Sequence, residues 1–526
     1  MQKMDDCKFT EVKMKRADQV RTLTDVTTTV NAAGKKHNDM DPTMLFNRLL
    51  VIMQRSMDME PYFGYELSAQ PTSLFKEGLM RKTDKSQLSK ELCKGVASAS
   101  VPQSAVNVID GGYLLHVVQW ANRASYSAVV QQYVQFVIQR YGTSAVVVFD
   151  GYGRPSNKDQ EHQRRAQKLA PDIVLDADKV AHSDTNAFLA NEHNKGAFVE
   201  LLISALRSAG LTIHQAVDDA DTLVIKVALQ LATSNQVVSV IANDTDILVL
   251  LLFHYQPVMS DIYMYAHTGQ QHVHSVRAIT TSLEPSVLRR LLVIHAISGC
   301  DTTSCLFGHG KISVFKKLSK ARDIQQFLDV MDSTTASHDE VMLAGCRILP
   351  LLYGGTVKDS LNHLRYSIYM HVTATSSQLP CPERLPPTEH AACYHLYRVH
   401  FQVLQWKLLS TVEISPQEWG WKLHEGKFIP IATDIDVAPA DILKVACCKC
   451  SATTKKPCGL KAYMCWKYGL CCVTVCKNCN GTFCENASDC AAESFLDEDD
   501  LVGDGLPEEA DVFHCVDDES CVLGLL

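Results

Sequence analysis

No apolar run in this 526-residue chain is long enough to cross a bilayer. The longest purely apolar stretches, such as Ile247–Phe253, fall far short of a membrane-spanning helix. The first residues (MQKMDDCKFTEVKMK) are charged and lack the apolar core of a signal peptide. Both absences predict a soluble intracellular protein. Basic residues are missing from the C-terminal end: residues 485–526 hold 14 Asp and Glu and no Lys or Arg. The net charge of −9 therefore describes a tail, and the rest carries 50 basic against 45 acidic residues. The negative total thus does not exclude a nucleic-acid-binding body.

The apolar fraction is 46% and the charged fraction 21%, enough to bury a real core. A wholly disordered, collagen-like or small disulfide-stapled chain is excluded. The length corresponds to three or four domains. Residues 1–40 are polar and lack a convincing hydrophobic period. From about 41 to 100, Leu45, Leu49, Val51 and Ile52 suggest helices broken at Pro61 and Pro71, with no catalytic motif.

The texture changes at Ala105. AVNVID (105–110) is an apolar run ending in Asp, followed by Gly-Gly. It predicts a buried strand stopping at a loop. A long amphipathic segment, roughly 113–140, follows. AVVVFD (145–150) repeats the design, and a helical stretch over 186–209 leads to LTIH (211–214) and the cluster Asp218, Asp219, Asp221. VVSVIAND (237–244) is again a strand ending in Asp. Strands alternating with helices predict an α/β fold with a parallel sheet covered on both faces. Residues 286–298 read as helix and Gly299–Leu318 as a tight turn between helices. Residues 326–445 are mixed, with a Pro-rich break at 380–387.

In a parallel sheet, ligands bind outside the carboxyl ends of the strands. Here those ends carry Asp110, Asp150, Asp219, Asp221, Asp244 and Asp246, and Asp301 joins them after a helix. Seven converging carboxylates repel one another and are tolerable only with cations among them. All-oxygen ligands select hard cations, Mg²⁺ or Mn²⁺. Two such ions close together activate a water and stabilise the leaving oxygen in phosphodiester hydrolysis. Asp after a strand also serves as ordinary loop chemistry, in an N-cap or Asx-turn.

The order VIDGGY, VFDGYG, DDAD, ANDTDILVL, SGCDTTSCLFGHGK resembles the flap endonuclease family, the structure-specific 5′ nucleases of the PIN-like fold. The similarity covers about residues 105–320. NDTDILVL resembles the family's paired-Asp strand end. GCDTTSCLFGHGKISVFKKL resembles its last metal-ligand Asp running into a helix–hairpin–helix. The resemblance implies that Asp110, Asp150, Asp219 and Asp221 surround a first metal, with Asp218 an alternative to Asp219. It implies that Asp244, Asp246 and Asp301 hold a second. It also implies that Lys158 and Arg165, with Arg164 beside it, hold the scissile phosphate; Lys and forked Arg suit such charge stabilisation. A solvated basic helix face is the other reading of KDQEHQRR. The hairpin Gly308-His309-Gly310-Lys311 is expected to present backbone N–H groups to duplex phosphates. His309 is expected as a polar turn residue, and Cys300 and Cys305 as buried small residues. The roughly 100 residues before the first motif and the C-terminal 200 depart from the family.

Of 20 cysteines, 11 fall between Cys447 and Cys490. Without a secretory signal, clustered thiols suggest metal more than disulfides. Cys448, Cys450, Cys458, Cys465, Cys472, Cys476, Cys479 and Cys484 suit two or three tetrahedral Zn²⁺ ions. The block resembles the tesmin-type CXC cysteine-rich module, which implies zinc and often DNA binding. Lys449, Lys455, Lys456, Lys461, Lys467 and Lys477 make it basic. A protein-interaction module is the competing use.

The expected organisation is an N-terminal partly disordered helical region (1–100), a PIN-like nuclease domain (101–325), a mixed region (326–445), a zinc-binding module (446–490) and an acidic tail (491–526). The expected function is a nuclear, metal-dependent, structure-specific DNA nuclease acting on branched or flapped DNA by two-metal hydrolysis. The alternative is a catalytically inactive PIN-like scaffold binding nucleic acid or protein, of mobile-element origin.

Overall fold

A computed structural model describes residues 29–32, 35–38, 42–53, 58–151, 158, 170–217, 219–266, 272–375, 381–409, 414–440, 442, 458, 464–467, 470–472 and 486. These fall into two compact units. One draws on Met1–Leu79, Val372–Pro382 and Ile435–Leu526, the other on Met80–His371 and Glu383–Asp434.

The larger unit is built on a six-stranded sheet. Its strands are β1 (Val106–Asp110), β2 (Val146–Phe149), β3 (Thr212–Gln215), β4 (Val238–Ile241), β5 (Ile262–Tyr265) and β6 (His274–Ser275), in the spatial order β6-β5-β4-β1-β2-β3. All neighbours are parallel except β6, which runs antiparallel to β5. The α/β class and the parallel sheet expected from the sequence are thus present. Val-rich runs form the central strands because β-branched side chains pack well on a pleat buried on both faces. Val238, Val240 and Ile241 have no exposed surface, each burial contributing about 1.5–3 kcal/mol. The last two strands, β5 and β6, are short and were not apparent as strands in the sequence.

Among the described residues, the helices of this unit ahead of and between the strands are α1 (Ser86–Leu92), α2 (Gly111–Val117), α3 (Tyr126–Tyr141), α4 (Thr185–Ala190), α5 (Glu192–Ser208), α6 (Ala220–Thr233) and α7 (Thr245–His254). The amphipathic segment expected over 113–140 is two helices. Val118 leaves α2 with extended backbone, and the Ser125 hydroxyl caps α3 by accepting from the Ala128 N–H at 3.3 Å. Trp120, in the break, packs its ring against Phe188 and Phe198 at 5.3 and 5.1 Å between centroids. The apolar faces of α3 and α5 thereby close over one side of the sheet, with Tyr133, Phe149, Phe198 and Leu202 in the shared core.

The chain continues through α8 (Val276–Ser282), α9 (Pro285–Ile297), α10 (Lys311–Lys320), α11 (Gln325–Met331), α12 (His338–Leu352) and α13 (Glu389–Leu408). Helix α9 packs on α7, and α13 on α9 and α12. Much of the mixed region is therefore a helical layer behind the sheet. Helix α13 is buried nearly all round and carries His395, Arg398 and His400 inside. Between α9 and α10 the chain makes a tight turn with a bridge between Leu306 and His309, then Gly310 caps α10.

In the smaller unit, a hairpin (Thr29–Ala32 with Lys35–Asn38) precedes a helix, Pro42–Met53. From that helix Arg48 donates to Cys465 Sγ at 2.9 Å and to the Cys471 carbonyl at 2.7 Å. Cys458, Cys465 and Cys472 are buried. Cys448, Cys450, Cys476, Cys479 and Cys484 lie outside the described residues, as does the acidic tail.

Candidate active site

The sheet reverses its winding between β1 and β4, where the chain proceeds to β2 and β3 on one side and to β5 on the other. The carboxyl ends flanking such a point form the natural ligand crevice of an open α/β sheet. Asp110 ends β1 and passes directly into α2. Its carboxylate accepts from the N–H groups of Gly112 at 2.9 Å and Tyr113 at 3.3 Å. Glycine at 111 is required by packing: a Cβ there would lie 2.7 Å from the Val148 carbonyl oxygen and 2.3 Å from the Phe149 ring. Glycine at 151 is required likewise, since a Cβ would meet the Val217 carbonyl oxygen at 2.2 Å. The Asp-Gly pairs therefore join a carboxylate to the one residue that lets the backbone come close behind it.

Asp150, after β2, accepts from the Ala220 N–H at 3.0 Å and pairs with Lys195 at 3.6 Å. A β-carbon built on Gly112 would stand 3.3 Å from Asp110 and 3.7 Å from Asp150 oxygens, so these two carboxylates face each other across a glycine. Burial, reinforced by Asp150, pushes the Asp110 carboxyl up to about 7. Asp219 and Asp221 lie at the start of α6, and Lys158 reaches them at 2.7 and 3.0 Å. Burial and Asp219 hold Asp221 well above the usual carboxylate range in spite of Lys158.

On the other side of the switch, Asp244 caps α7 by accepting from the Asp246 N–H at 2.8 Å. Burial and Asp246 raise its carboxyl. Asp246 is only 2% exposed. It is held by Lys85 at 2.9 Å and by His295 Nε2 at 2.7 Å. Burial opposes its charge, but Lys85 and His295 outweigh burial and hold it well below the usual range. Asp301 follows α9 and pairs with Lys85 at 2.8 Å and Lys82 at 3.2 Å. Burial opposes its charge too, and Lys85 again prevails, lowering its carboxyl. Oxygens of Asp221, Asp244 and Asp246 lie within 4.8 Å of one another.

Behind Asp246, His295 is completely buried. Burial and Lys311 lower its imidazole to about 4, so it is neutral. Its Nε2–H faces Asp246, while Nδ1 accepts from the Lys311 ammonium at 2.9 Å. Lys311 also donates to the His295 carbonyl at 2.6 Å. The expectation at this turn concerned backbone N–H groups; the Lys311 side chain itself is 1% exposed and turned inward. The turn residues Gly308 and Gly310 stand where the hairpin was expected, Gly308 with φ +76°. His309 packs edge-on to Tyr353 at 4.5 Å. Cys300 and Cys305 are buried, as expected of small core residues.

Arg164, Arg165 and Asp218 lie outside the described residues. The structure gathers the other carboxylates around the carboxyl ends of β1 to β4 and adds groups the sequence did not reveal: Lys82, Lys85, Lys195 and His295. Lys82 and Lys85 come from a polar stretch with no motif. They are fixed in place because the Cys305 N–H donates to the Arg81 carbonyl at 2.9 Å and the Cys305 thiol to the Lys82 carbonyl at 3.0 Å.

Comparison with known proteins adds three findings. A family model described as a domain of unknown function (DUF8702) matches residues 1–66. No curated protein matches. Solved structures similar to this chain include the catalytic core of Rad2 in complex with DNA substrate, at 17% identity and a TM-score of 0.27, covering 41% of this chain. The chain spans 60% of that core's length. Others are the bacteriophage T5 D15 protein co-crystallised with metal ions (13% identity, TM-score 0.29, 58% of this chain and 99% of that one) and the eukaryotic junction-resolving enzyme GEN-1 (15%, 0.28, 63% and 75%).

The chemistry of the donor set fits hard divalent cations. All seven candidate ligands are carboxylates, and the raised carboxyls of Asp110, Asp221 and Asp244 mark places where negative charge is incompletely compensated. No described helix is long and apolar enough to cross a membrane.

Proposed function

We propose that this protein is a metal-dependent nuclease that hydrolyses phosphodiester bonds in DNA, with branched or flapped DNA as substrate. The observation that carries the reading is the close approach of Asp221, Asp244 and Asp246 at the winding switch of a parallel sheet. Asp110, Asp150, Asp219 and Asp221 would hold one Mg²⁺ or Mn²⁺, and Asp244, Asp246 and Asp301 a second. Bound there, such ions lower the pKa of water and neutralise charge on the leaving oxygen.

The chain's own residues do the rest. Lys158, poised on Asp219 and Asp221, is the group that would exchange a carboxylate for the scissile phosphate, and Arg165 is proposed to share that role. Neutral His295 orients Asp246 through one hydrogen bond and prevents its rotation. Backbone N–H groups of the Gly308–Gly310 turn would seat duplex phosphates. Two to three Zn²⁺ ions on the eight cysteines would fold the Cys-rich module, and a nuclear location is part of the same proposal.

A second reading is favoured by Lys85 and Lys158, whose ammonium groups already lie among the carboxylates. It is a scaffold that binds nucleic acid or protein without cutting it. Labelled flap, hairpin, single-stranded and duplex DNA, incubated with the full chain with and without Mg²⁺ or Mn²⁺, separate the two. Metal-dependent cleavage that is strongest on flap substrates is expected. Binding without cleavage in either metal would leave the scaffold.

A further inference from the structure

Lys85 lies outside every motif, yet its ammonium sits at the centre of one carboxylate group. It is 2.8 Å from Asp301, 2.9 Å from Asp246 and 3.7 Å from Asp244, and its side chain is 17% exposed. The backbone that delivers it is fixed on both sides. Ahead of it, Arg81 pairs with Glu383 at 2.6 Å and the Arg81 and Lys82 carbonyls accept from Cys305. Next to it, the Asp84 carboxylate accepts from the Ser86 N–H at 2.9 Å, the Ser86 hydroxyl at 2.7 Å and Gln87 at 3.2 Å, facing solvent. Asp84 outward and Lys85 inward is therefore a fixed arrangement, and only the flexible four-carbon stem of Lys85 is free to change.

We propose that Lys85 is a tethered, displaceable counter-cation: it holds Asp244, Asp246 and Asp301 together in the metal-free protein and withdraws when a divalent cation enters. This rests on the metal reading of the site, not on catalysis. Two facts carry it. The ammonium contacts the three carboxylates assigned above to a divalent cation, two of which belong to the close group of Asp221, Asp244 and Asp246, and like charges a few ångströms apart in a largely buried crevice repel strongly. The side chain also keeps a partly open path to solvent, so withdrawal needs rotation about single bonds and no movement of α1. Lys82, 3.2 Å from Asp301, stands at the more open rim, 27% exposed, and shields that carboxylate while Lys85 moves.

The test uses the full chain. Titration calorimetry with Mn²⁺ is expected to give a dissociation constant about tenfold lower for Lys85→Met than for wild type, because the competing charge is gone. The midpoint of metal-free thermal unfolding should fall at the same time. An unchanged or weaker Mn²⁺ affinity in the variant overturns the proposal. A second measurement needs no variant. Wild-type protein is treated briefly with acetic anhydride, and modification of Lys85 is quantified by peptide mass spectrometry with and without saturating Mg²⁺. Acetylation several-fold faster with Mg²⁺ is expected; equal or slower acetylation with bound metal removes Lys85 displacement and leaves the metal site standing. Absence of any divalent-ion binding to wild type and variant removes the metal reading itself, and this proposal with it.

Discussion

The two sides of the crevice carry similar carboxylates but compensate them differently. On the side of β1 to β3, Asp110 faces Asp150 across a glycine and is pushed up to about 7, and Asp221 is raised as well. On the side of β4, Asp244 is raised but Asp246 and Asp301 are lowered, because Lys85 touches both and a neutral histidine donates to one of them. The lesson concerns where a fold keeps its electrostatic strain. Each side carries lysines within the chain, Lys158 and Lys195 on the first and Lys82 and Lys85 on the second, but only on the second do they bring two carboxylates below the usual range. The first side should therefore take up a divalent ion more readily, and the second should contribute more to the stability of the metal-free protein.

The sharpest way to break this comparison is to neutralise one carboxylate from each side. Asp110→Asn and Asp246→Asn should both lower Mg²⁺-dependent turnover by about 1,000-fold or more, with DNA affinity within a few fold, since each removes a ligand but few phosphate contacts. Full turnover in both would end the metal assignment. The two variants should then part company in urea unfolding with a chelator present. Asp246→Asn leaves the Lys85 ammonium poorly compensated and should cost about 3 kcal/mol. Asp110→Asn keeps an N-cap oxygen while removing the repulsion from Asp150, and should stabilise by about 1 kcal/mol. Equal signs in the two would mean that the sides do not differ.

Lys158→Ala sharpens the first side. Turnover should fall about 100-fold with a smaller loss of affinity, because its charge acts on the transition state. Weaker binding with unchanged turnover would make Lys158 only a phosphate anchor.

The smallest effect lies away from the crevice and serves as its control. Burial, assisted by Arg398, lowers buried His395 to about 3, against about 6.5 when unfolded. The unfolded chain therefore binds the extra proton first, and this stability is full above pH 6.5 and is lost as pH falls toward 3. His395→Leu should flatten the loss of stability between pH 6.5 and 4 without altering metal affinity. An unchanged slope would show that other groups dominate acid unfolding.

How far the sequence could be read depends on the range of each interaction. The strand ends were legible because Val-rich runs closing on Asp-Gly are local patterns, and the parallel sheet orders them at one edge. Lys85 was not legible. MRKTDKSQ has the composition of a solvated turn, and contacts with Cys305 and Glu383 turn it inward. Helix α13 was obscured for the opposite reason. His395, Arg398 and His400 interrupt its apolar pattern, yet all three are buried, Arg398 donating to the Gly420 and Ile431 carbonyls and His400 to that of Met331. Lys311 followed a motif suggestive of phosphate contact, but a histidine one helix earlier captures its ammonium. In each case a charged residue was exchanged between inside and outside by a partner distant in sequence.

The pairing of β1 with β4, residues 106–109 against 238–241, also bears on how the chain is made. These strands are adjacent in the sheet but far apart along the chain, so their docking closes a long loop and is intrinsically slow. Until β4 has been synthesised, β1 presents Val106 and Val108 along an unprotected edge that invites pairing with other chains. Asp244 and Asp246 are made only after β4 and stay hydrated until the sheet closes, so their repulsion from Asp221 arises only at that point. Fragments ending between β3 and β4 should therefore aggregate, while those extending past β6 should stay in solution.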